Sequence, residues 1–300
     1  MAGDLVTRPG HIQFGDLLLG PSTPYRWTEL EGWEDTTGTD SGNVNRADGH
    51  GAYPGHLLAQ VRTVTLDGMV LRTEPGRMSS VVRELKAGTA LRDDELPLVI
   101  KLDDEPPLLC WARCLRSAIP VTAGGYAIGV VTDGALQFEA TDPRRYSLIE
   151  QHVEARLPVA EPGLDWHLAP GPERLTYPME FGAPGSTGTV VAVNGGDALA
   201  HPLITFRGPV ALPSLMNLGT GEAIEYDIEL APDDVLLVDT AAGTVTLNGT
   251  ASRLYTATAR SVPEQLFFLA RGTSSLAFRA APGSTSPRAA CSLRWRSAYW

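Results

Sequence analysis

One stretch of the chain, residues 193–249, constrains the fold more than any other, because it is built of short strand-like runs separated by Gly, Pro, Asn and Asp. At its centre apolar residues alternate with acids, so that Ile224, Tyr226, Ile228 and Leu230 are separated by Glu225, Asp227 and Glu229. A period of two is that of a β-strand with one buried and one solvated face. We therefore expect an antiparallel sheet here, with the three acids on its solvated outer face.

Length and composition extend this prediction to the whole chain. Its 300 residues exceed what one small core accommodates, so we expect two domains. The 31 Gly and 23 Pro are spread without a fixed period, which is typical of many short strands joined by tight turns. The predicted fold class is mainly β.

The first 157 residues predict a β-barrel or curled sheet with one helix. The dipeptides Asp67-Gly68 and Asp133-Gly134 lie between β-rich arms, a pattern typical of tight hairpins. Residues 34–56 form a polar, Gly-rich loop that we expect to be ordered in an assembly. Further strands are predicted at residues 12–19, 25–33, 98–102, 108–115, 126–131, 135–140 and 148–157.

The helix is predicted over residues 80–87. Ser79 or Ser80 is the expected N-cap, Val82 and Leu85 share one face, and Gly88 ends the helix.

A connector at residues 158–188 separates this domain from a second one at residues 189–300. Prolines exclude both a helix interior and a central strand there, at positions 158, 162, 170, 172, 178 and 184. We expect Trp166, Tyr177 and Phe181 to hold the connector on the surface. The second domain predicts an antiparallel sandwich, with strands at residues 189–193, 202–207, 210–216, 223–230, 235–239, 244–247, 265–269, 276–280 and 291–297.

No catalytic or cofactor site is predicted. His50 and His56, with Asp48 nearby, match no metal-site spacing and lie in a polar loop. Ser41 lacks the context of a nucleophile elbow, and the acids at 103–105 and 233–234 occupy turns marked by Pro. We therefore expect a protein that is not an enzyme and that binds no cofactor or metal.

Charge and hydropathy exclude two classes of partner. A net charge of -11 and the lack of a basic cluster argue against a nucleic-acid surface. No apolar run approaches the roughly 18 to 20 residues of a membrane helix, and the first residues do not form a signal peptide. We expect a soluble protein made in the cytoplasm, with Cys110, Cys114 and Cys291 as reduced core thiols.

The order of motifs along both halves resembles that of the distal tail protein (Dit) family of long-tailed, non-contractile bacteriophages. Each motif is mostly turn chemistry, and the specificity lies in their succession over nearly the whole chain. In the first half they are Gly32-Trp33, His50-Gly51, RTVTLDG at 62–68, Pro97-Leu98, Ala112-Arg113 and FEATDPRRY at 138–146. In the second half they are NGGDA at 194–198, Pro202, Gly208, Asn217, Thr220-Gly221, VDT at 238–240, Thr244-Val245 and LNG at 247–249.

The resemblance implies an N-terminal split β-barrel that builds a homohexameric ring and a C-terminal galectin-like sandwich. It implies a structural hub of the virion that joins the tail tube protein to the tail-tip or baseplate proteins, with the tape measure protein as a further partner. Hairpins can pair edge to edge in a closed assembly. We therefore expect Arg62, Asp67 and Gly68, and the 34–56 loop with His50, to lie at ring or tube contacts.

The aromatic ending leaves an alternative function open. Trp295 is explained by core packing, whereas Tyr299 and Trp300 lie beyond the alternating pattern and are expected at a surface or interface. In this alternative the C-terminal sandwich is an adhesion module that binds a cell-surface glycan through Tyr299, Trp300 or loop residues, and the N-terminal domain only carries it.

Overall fold

The structure is a computed structural model that describes residues 2–159 and 185–300. The chain divides into two compact units. Unit 1 contains the residues up to Ile149 together with Ala298–Trp300, and unit 2 contains Glu150–Ser297. The connector predicted at 158–188, with Trp166, Tyr177 and Phe181, lies mostly outside the described residues.

The mainly β fold class is confirmed. Unit 1 has two helices, α1 (Met78–Gly88) and α2 (Ala123–Ile128), among the described residues. Its strands are β1 (His11–Phe14), β2 (Leu17–Leu19), β3 (Tyr25–Arg26), β4 (Glu29–Glu31), β5 (Thr39–Ser41), β6 (Val44–Asn45), β7 (Ala52–Tyr53), β8 (Leu57–Ala59), β9 (Arg62–Arg72), β10 (Leu96–Lys101), β11 (Leu108–Ala118), β12 (Val130–Ala140) and β13 (Arg145–Ser147).

Unit 2 is built of strands and two short 3-10 turns, Leu254–Thr256 and Glu264–Leu266. Its strands are β14 (Gln151–Arg156), β15 (Thr189–Asn194), β16 (Leu203–Arg207), β17 (Val210–Ala211), β18 (Ser214–Asn217), β19 (Ala223–Glu225), β20 (Glu229–Leu230), β21 (Val235–Asp239), β22 (Thr244–Leu247), β23 (Ala251–Ser252), β24 (Gly272–Arg279) and β25 (Ala290–Trp295). The last strand of the chain, β26 (Ala298–Tyr299), belongs to unit 1.

A barrel-like, nearly closed sheet forms the body of unit 1, in the order β2-β1-β10-β11-β12-β9-β3. β4 also pairs with β9, and β13 pairs with both β11 and β26. Helix α1 buries Met78, Val81, Val82 and Leu85 in the core of this unit. These positions follow the i, i+3, i+4, i+7 spacing of one helix face.

Helix α1 begins earlier than predicted, and α2 was not predicted. Because Met78 belongs to the core, the helix starts there with Arg77 as N-cap, so the expected caps Ser79 and Ser80 lie inside its first turn. α2 occupies part of the strand predicted over 126–131. Thr122 caps it by accepting a hydrogen bond from the Gly125 amide at 3.2 Å.

Both predicted Asp-Gly hairpins are wrong, because each dipeptide lies within one continuous strand. In the β9–β12 pair, Leu66 faces Leu136 and Met69 faces Gly134, which leaves one extra residue in β9. Farther along the pair Leu71 faces Val131, which leaves one extra residue in β12. Gly68 (φ 60°) and Asp133 (φ 63°) adopt left-handed conformations at these places. They form two β-bulges that bend long paired strands.

Unit 2 consists of antiparallel sheets. One has the order β14-β25-β16-β21-β22-β23 and another the order β15-β24-β18-β19. β14 pairs with β25 along its full length, with Gln151 opposite Trp295. Residues 150–157, which we assigned to the first domain, therefore belong to unit 2. The strands β21 and β22 have the predicted bounds.

The central alternating strand of the opening stretch is broken rather than continuous. β19 ends at Glu225 and β20 begins at Glu229, because the Asp227 amide donates to the carbonyl of Thr256 at 2.7 Å instead of to a neighbouring strand. Glu225 is buried, so it does not lie on a solvated face as predicted. The strand predicted at 265–269 is replaced by the 3-10 turn Glu264–Leu266.

Candidate functional site

A two-stranded ribbon in unit 1, residues 38–60, occupies most of the loop predicted at 34–56; we refer to it as the arm. β5 pairs with β8, and β6 pairs with β7. The Gln60 amide donates to the carbonyl of Gly38 at 2.7 Å and closes the ribbon at its base. At the tip the Arg46 amide donates to the carbonyl of Gly51 at 3.1 Å.

The arm presents large apolar side chains to solvent. Leu57 is 68% exposed and Leu58 64%, and Val44 and Tyr53 are exposed as well. Within the described residues the arm pairs with no third strand. An isolated two-stranded ribbon is only marginally stable in water, and its unpaired edges are templates for another chain. The arm is therefore a surface of unit 1 that another chain would stabilise by covering it.

His50 lies exposed between β6 and β7, at the tip of the arm. Ser41 is exposed on β5. In residues 2–159 and 185–300 no group of three or more metal-ligating side chains is found. Within the same residues no helix is both long and apolar enough to cross a bilayer.

Arg62 is buried and holds the base of the arm from inside unit 1. Its side chain is 1% exposed, and its Nη1 donates to three carbonyls, those of Gly32 at 2.8 Å, Trp33 at 2.9 Å and Asp35 at 3.0 Å. Its Nε donates to the carbonyl of Pro143 at 2.7 Å. These bonds direct Nε and Nη1 of the buried Arg62 side chain to carbonyls of its own unit. Its predicted place at an interface is corrected to an internal one.

A second arginine, Arg145 of β13, lies beside Arg62. Its Nη1 donates to Glu34 Oε1 at 2.7 Å, and its guanidinium carbon lies 5.5 Å from the centre of the Trp33 ring. Burial lowers the pKa of Arg62, and the positive charge of Arg145 lowers it further. Neither Arg145 nor Glu34 was singled out from the sequence. The only signal was the pair of arginines in DPRRY, which looked like turn chemistry.

Asp67 and Gly68 occupy the bulge of β9 beside the edge strand β4. Glu29 faces Asp67 across the pair. Thr28 covers the bulge, and its Oγ1 donates toward the carbonyls of Asp67 and Gly68 at 3.3 Å each. The bulge therefore shapes an edge of the sheet instead of forming a projecting turn.

Tyr299 and Trp300 lie in unit 1 and not on the sandwich. In the pairing of β26 with β13, Tyr299 faces Arg145 and Ala298 faces Tyr146. Trp300 is 50% exposed, and its main-chain oxygen accepts a hydrogen bond from Arg145. Unit 2 therefore contains neither of the two aromatic residues that were predicted for a glycan site.

Buried polar groups in unit 2 form internal pairs. Tyr226 donates to Glu264 Oε1 at 3.1 Å, and burial together with this carboxylate raises the pKa of the tyrosine. Glu225 accepts from Thr258 at 2.9 Å and from Arg260 at 3.2 Å. These bonds attach the segment after β23 to β19, which is a structural role.

Comparison with known proteins gives the fold a precedent. No protein-family model matches the sequence, and no curated protein is a detectable relative. The crystal structure of the phage SPP1 Dit (gp 19.1) protein superposes with a TM-score of 0.64 at 12% identity, covering 97% of this chain and 99% of that one. That structure is described as a paradigm of the hub adsorption apparatus in phages that infect Gram-positive bacteria.

Two structures of the phage P2 baseplate in its activated conformation, with Ca and with Sr, are also similar. They are each 10% identical, cover 95% and 90% of this chain and 97% and 98% of their own, and have TM-scores of 0.47 and 0.44. The resemblance indicated by the sequence motifs is confirmed at the level of the fold. Along nearly its whole length, the chain has the fold of the SPP1 Dit protein.

Proposed function

We propose that this protein is a structural hub of a long, non-contractile phage tail tip. The observation that carries the proposal is the shared fold with a Dit hub protein over 97% of the chain. In this function the protein forms a homohexameric ring and joins the tail tube protein to the tail-tip or baseplate proteins. It acts through shape and attachment and is not an enzyme.

The arm supports self-association. Among residues 2–159 and 185–300, no segment covers its two edges or its exposed Leu57, Leu58 and Tyr53. Strand pairing with a second copy satisfies the edges, and a head-to-tail ring closes without leaving a free one. The arm, with His50 near its tip, and the bulge at Asp67 and Gly68 are the proposed ring and tube contacts.

Electron microscopy of the purified full chain tests the proposal. We expect negatively stained particles to be six-fold rings with a central hole. Analytical ultracentrifugation of the same sample should give the mass of six chains, each of 32.0 kDa. A protein that stays monomeric at all concentrations, and that also fails to bind purified tail tubes, contradicts the proposal.

The location in the virion has its own test. Antibodies against this chain should label one end of purified tails, at the tip. Labelling of the capsid, or of the whole length of the tube, contradicts a hub at the tail tip.

A further inference from the structure

One side chain, that of Arg145, contacts both the segment that leads into the arm and the residue that follows the last strand. Arg145 donates through Nη1 to Glu34, which precedes the arm, and through Nη2 to the main-chain oxygen of Trp300, which follows β26. Its guanidinium also lies over Trp33. One planar cation thus contacts the residues just before the arm and the residue just after β26, although Glu34 lies 111 positions and Trp300 155 positions away in the sequence.

We propose that Arg145 is a latch that makes the order of the arm depend on the pairing of β26 with β13. When Ala298–Tyr299 is paired, the oxygen of Trp300 and the ring of Trp33 fix the guanidinium so that it faces Glu34. When β26 is released, the guanidinium loses this orientation, and the base of the arm is held less firmly. The arm is thereby coupled to a segment that directly follows unit 2 in the chain.

The dependence of the Arg145–Glu34 ion pair on β26 follows from the different solvent exposure of its two side chains. The side chain of Glu34 is 63% exposed, whereas that of Arg145 is 9% exposed. An exposed ion pair contributes little when both side chains are free to move. A guanidinium whose orientation is already fixed loses less entropy when it binds a carboxylate, and its planar geometry makes the bond directional. Release of β26 therefore turns the Arg145–Glu34 contact into an ordinary surface pair.

Arg62 limits how far the effect spreads. Its bonds to the carbonyls of Gly32, Trp33 and Asp35 do not involve β26, so release of β26 loosens the base of the arm at Glu34 without detaching it. We expect the effect of releasing β26 to appear in residues 38–60 and in β13, and not in helix α1. This coupling is a property of the single chain and goes beyond the proposed function, so a failure to form rings leaves it unaffected.

Hydrogen–deuterium exchange of the full chain, read by mass spectrometry, tests the latch. Tyr299→Pro interrupts β26 without touching the arm, and Glu34→Gln removes the carboxylate. We expect each to raise amide exchange in residues 38–60 about fivefold, with exchange in Met78–Gly88 unchanged. In the double variant the two effects should not multiply, because either change alone opens the same latch. Leu91→Pro, at an 85% exposed position, is the control and should leave the arm unchanged.

Two results overturn the latch. One is faster exchange in β13 of Tyr299→Pro with no change in the arm. The other is a double variant whose effect on the arm is the product of the two single effects. If Tyr299→Pro also unfolds α1, the Glu34→Gln variant provides the test. Unchanged amide exchange in residues 38–60 of Glu34→Gln then refutes the role of Arg145.

Discussion

Arg62 Nη1 and the carbonyl oxygen of Trp33 are joined by a buried hydrogen bond of 2.9 Å across 29 residues of sequence. This bond ties the start of β9 to the point where the chain leaves for the arm. The arm is therefore attached to the core of unit 1 through a cation that is itself removed from solvent.

Replacing Arg62 by Lys should destabilise unit 1 by about 3 kcal/mol, because an ammonium cannot reach four carbonyls at once and leaves some of them buried without a donor. Amide exchange in β9 and β12 at rising urea concentration gives the free energy of opening. Arg83→Lys, on the exposed side of α1, is the matched control and should change it by less than about 0.5 kcal/mol. Equal effects of the two substitutions would contradict the internal role of Arg62.

The two bulges of the β9–β12 pair predict different responses at their two positions with left-handed backbone. Gly68→Ala should cost about 2 kcal/mol, because φ is 60° and the new methyl would collide with Thr28. Asp133→Gly should change the free energy of unfolding by less than about 1 kcal/mol, because glycine adopts that conformation readily. Thermal unfolding of the two variants provides the comparison, and a tolerated Gly68→Ala would be inconsistent with the bulge.

The stability of unit 1 should depend on pH through Asp142. Burial alone would raise the pKa of this carboxyl, but hydrogen bonds from Arg144, at 2.8 and 2.9 Å, and from Tyr146, at 2.5 Å, outweigh it and lower the pKa from 3.8. A carboxyl with a lowered folded pKa stabilises the fold above its unfolded pKa, and this contribution is lost as pH falls through the folded value.

Asp142→Asn should therefore be less stable than the wild type at pH 7, and the difference should shrink as the pH falls below 3.8. Urea unfolding at pH 7 and at pH about 3 measures the change. Asp104→Asn, in an exposed turn, is the control. A difference that stays constant with pH would show that the carboxylate charge is not responsible.

In unit 2, the two acids Glu225 and Glu229 should behave differently. Glu225→Gln weakens the contacts of this buried carboxylate with Arg260 and Thr258 and should cost about 1 to 2 kcal/mol. Glu229→Gln, at an exposed position, should cost less than about 0.5 kcal/mol. Calorimetric unfolding of both variants tests this. Equal losses of unfolding free energy would indicate that Glu225 lies on a solvated face, as the alternation predicts.

The arm should be required for assembly but not for the fold of unit 1. Leu57→Asp together with Leu58→Asp places charges on two exposed positions, so the thermal unfolding midpoint should change little, whereas ring formation should be lost. Sedimentation velocity measures the assembly. Leu91→Asp, at an 85% exposed position on the same unit, controls for added charge and should still form rings. If the double variant still forms rings, the arm is not part of the ring interface.

Patterns that depend on neighbours in the chain predicted much of this protein. Short strand-like runs between turn residues predicted β21 and β22 to the residue. The spacing of Val81, Val82 and Leu85 belongs to helix α1, most of which was predicted from the sequence. These features are local, because the period of burial along a strand or helix is set by its own geometry. The succession of turn motifs was enough to indicate the Dit fold, which the comparison with SPP1 Dit confirms.

Features that depend on distant residues were decided by the tertiary structure. An Asp-Gly pair permits left-handed backbone, but whether it makes a hairpin or a bulge depends on the strand opposite it, as Asp67-Gly68 in β9 shows. Glu225 and Arg62 are charged residues that the sequence alone assigns to a surface, and both are buried because distant partners satisfy them. Local sequence thus determined which conformations each segment favours, and long-range pairing decided which of them the protein adopts, since the energy of a buried hydrogen bond depends on both partners.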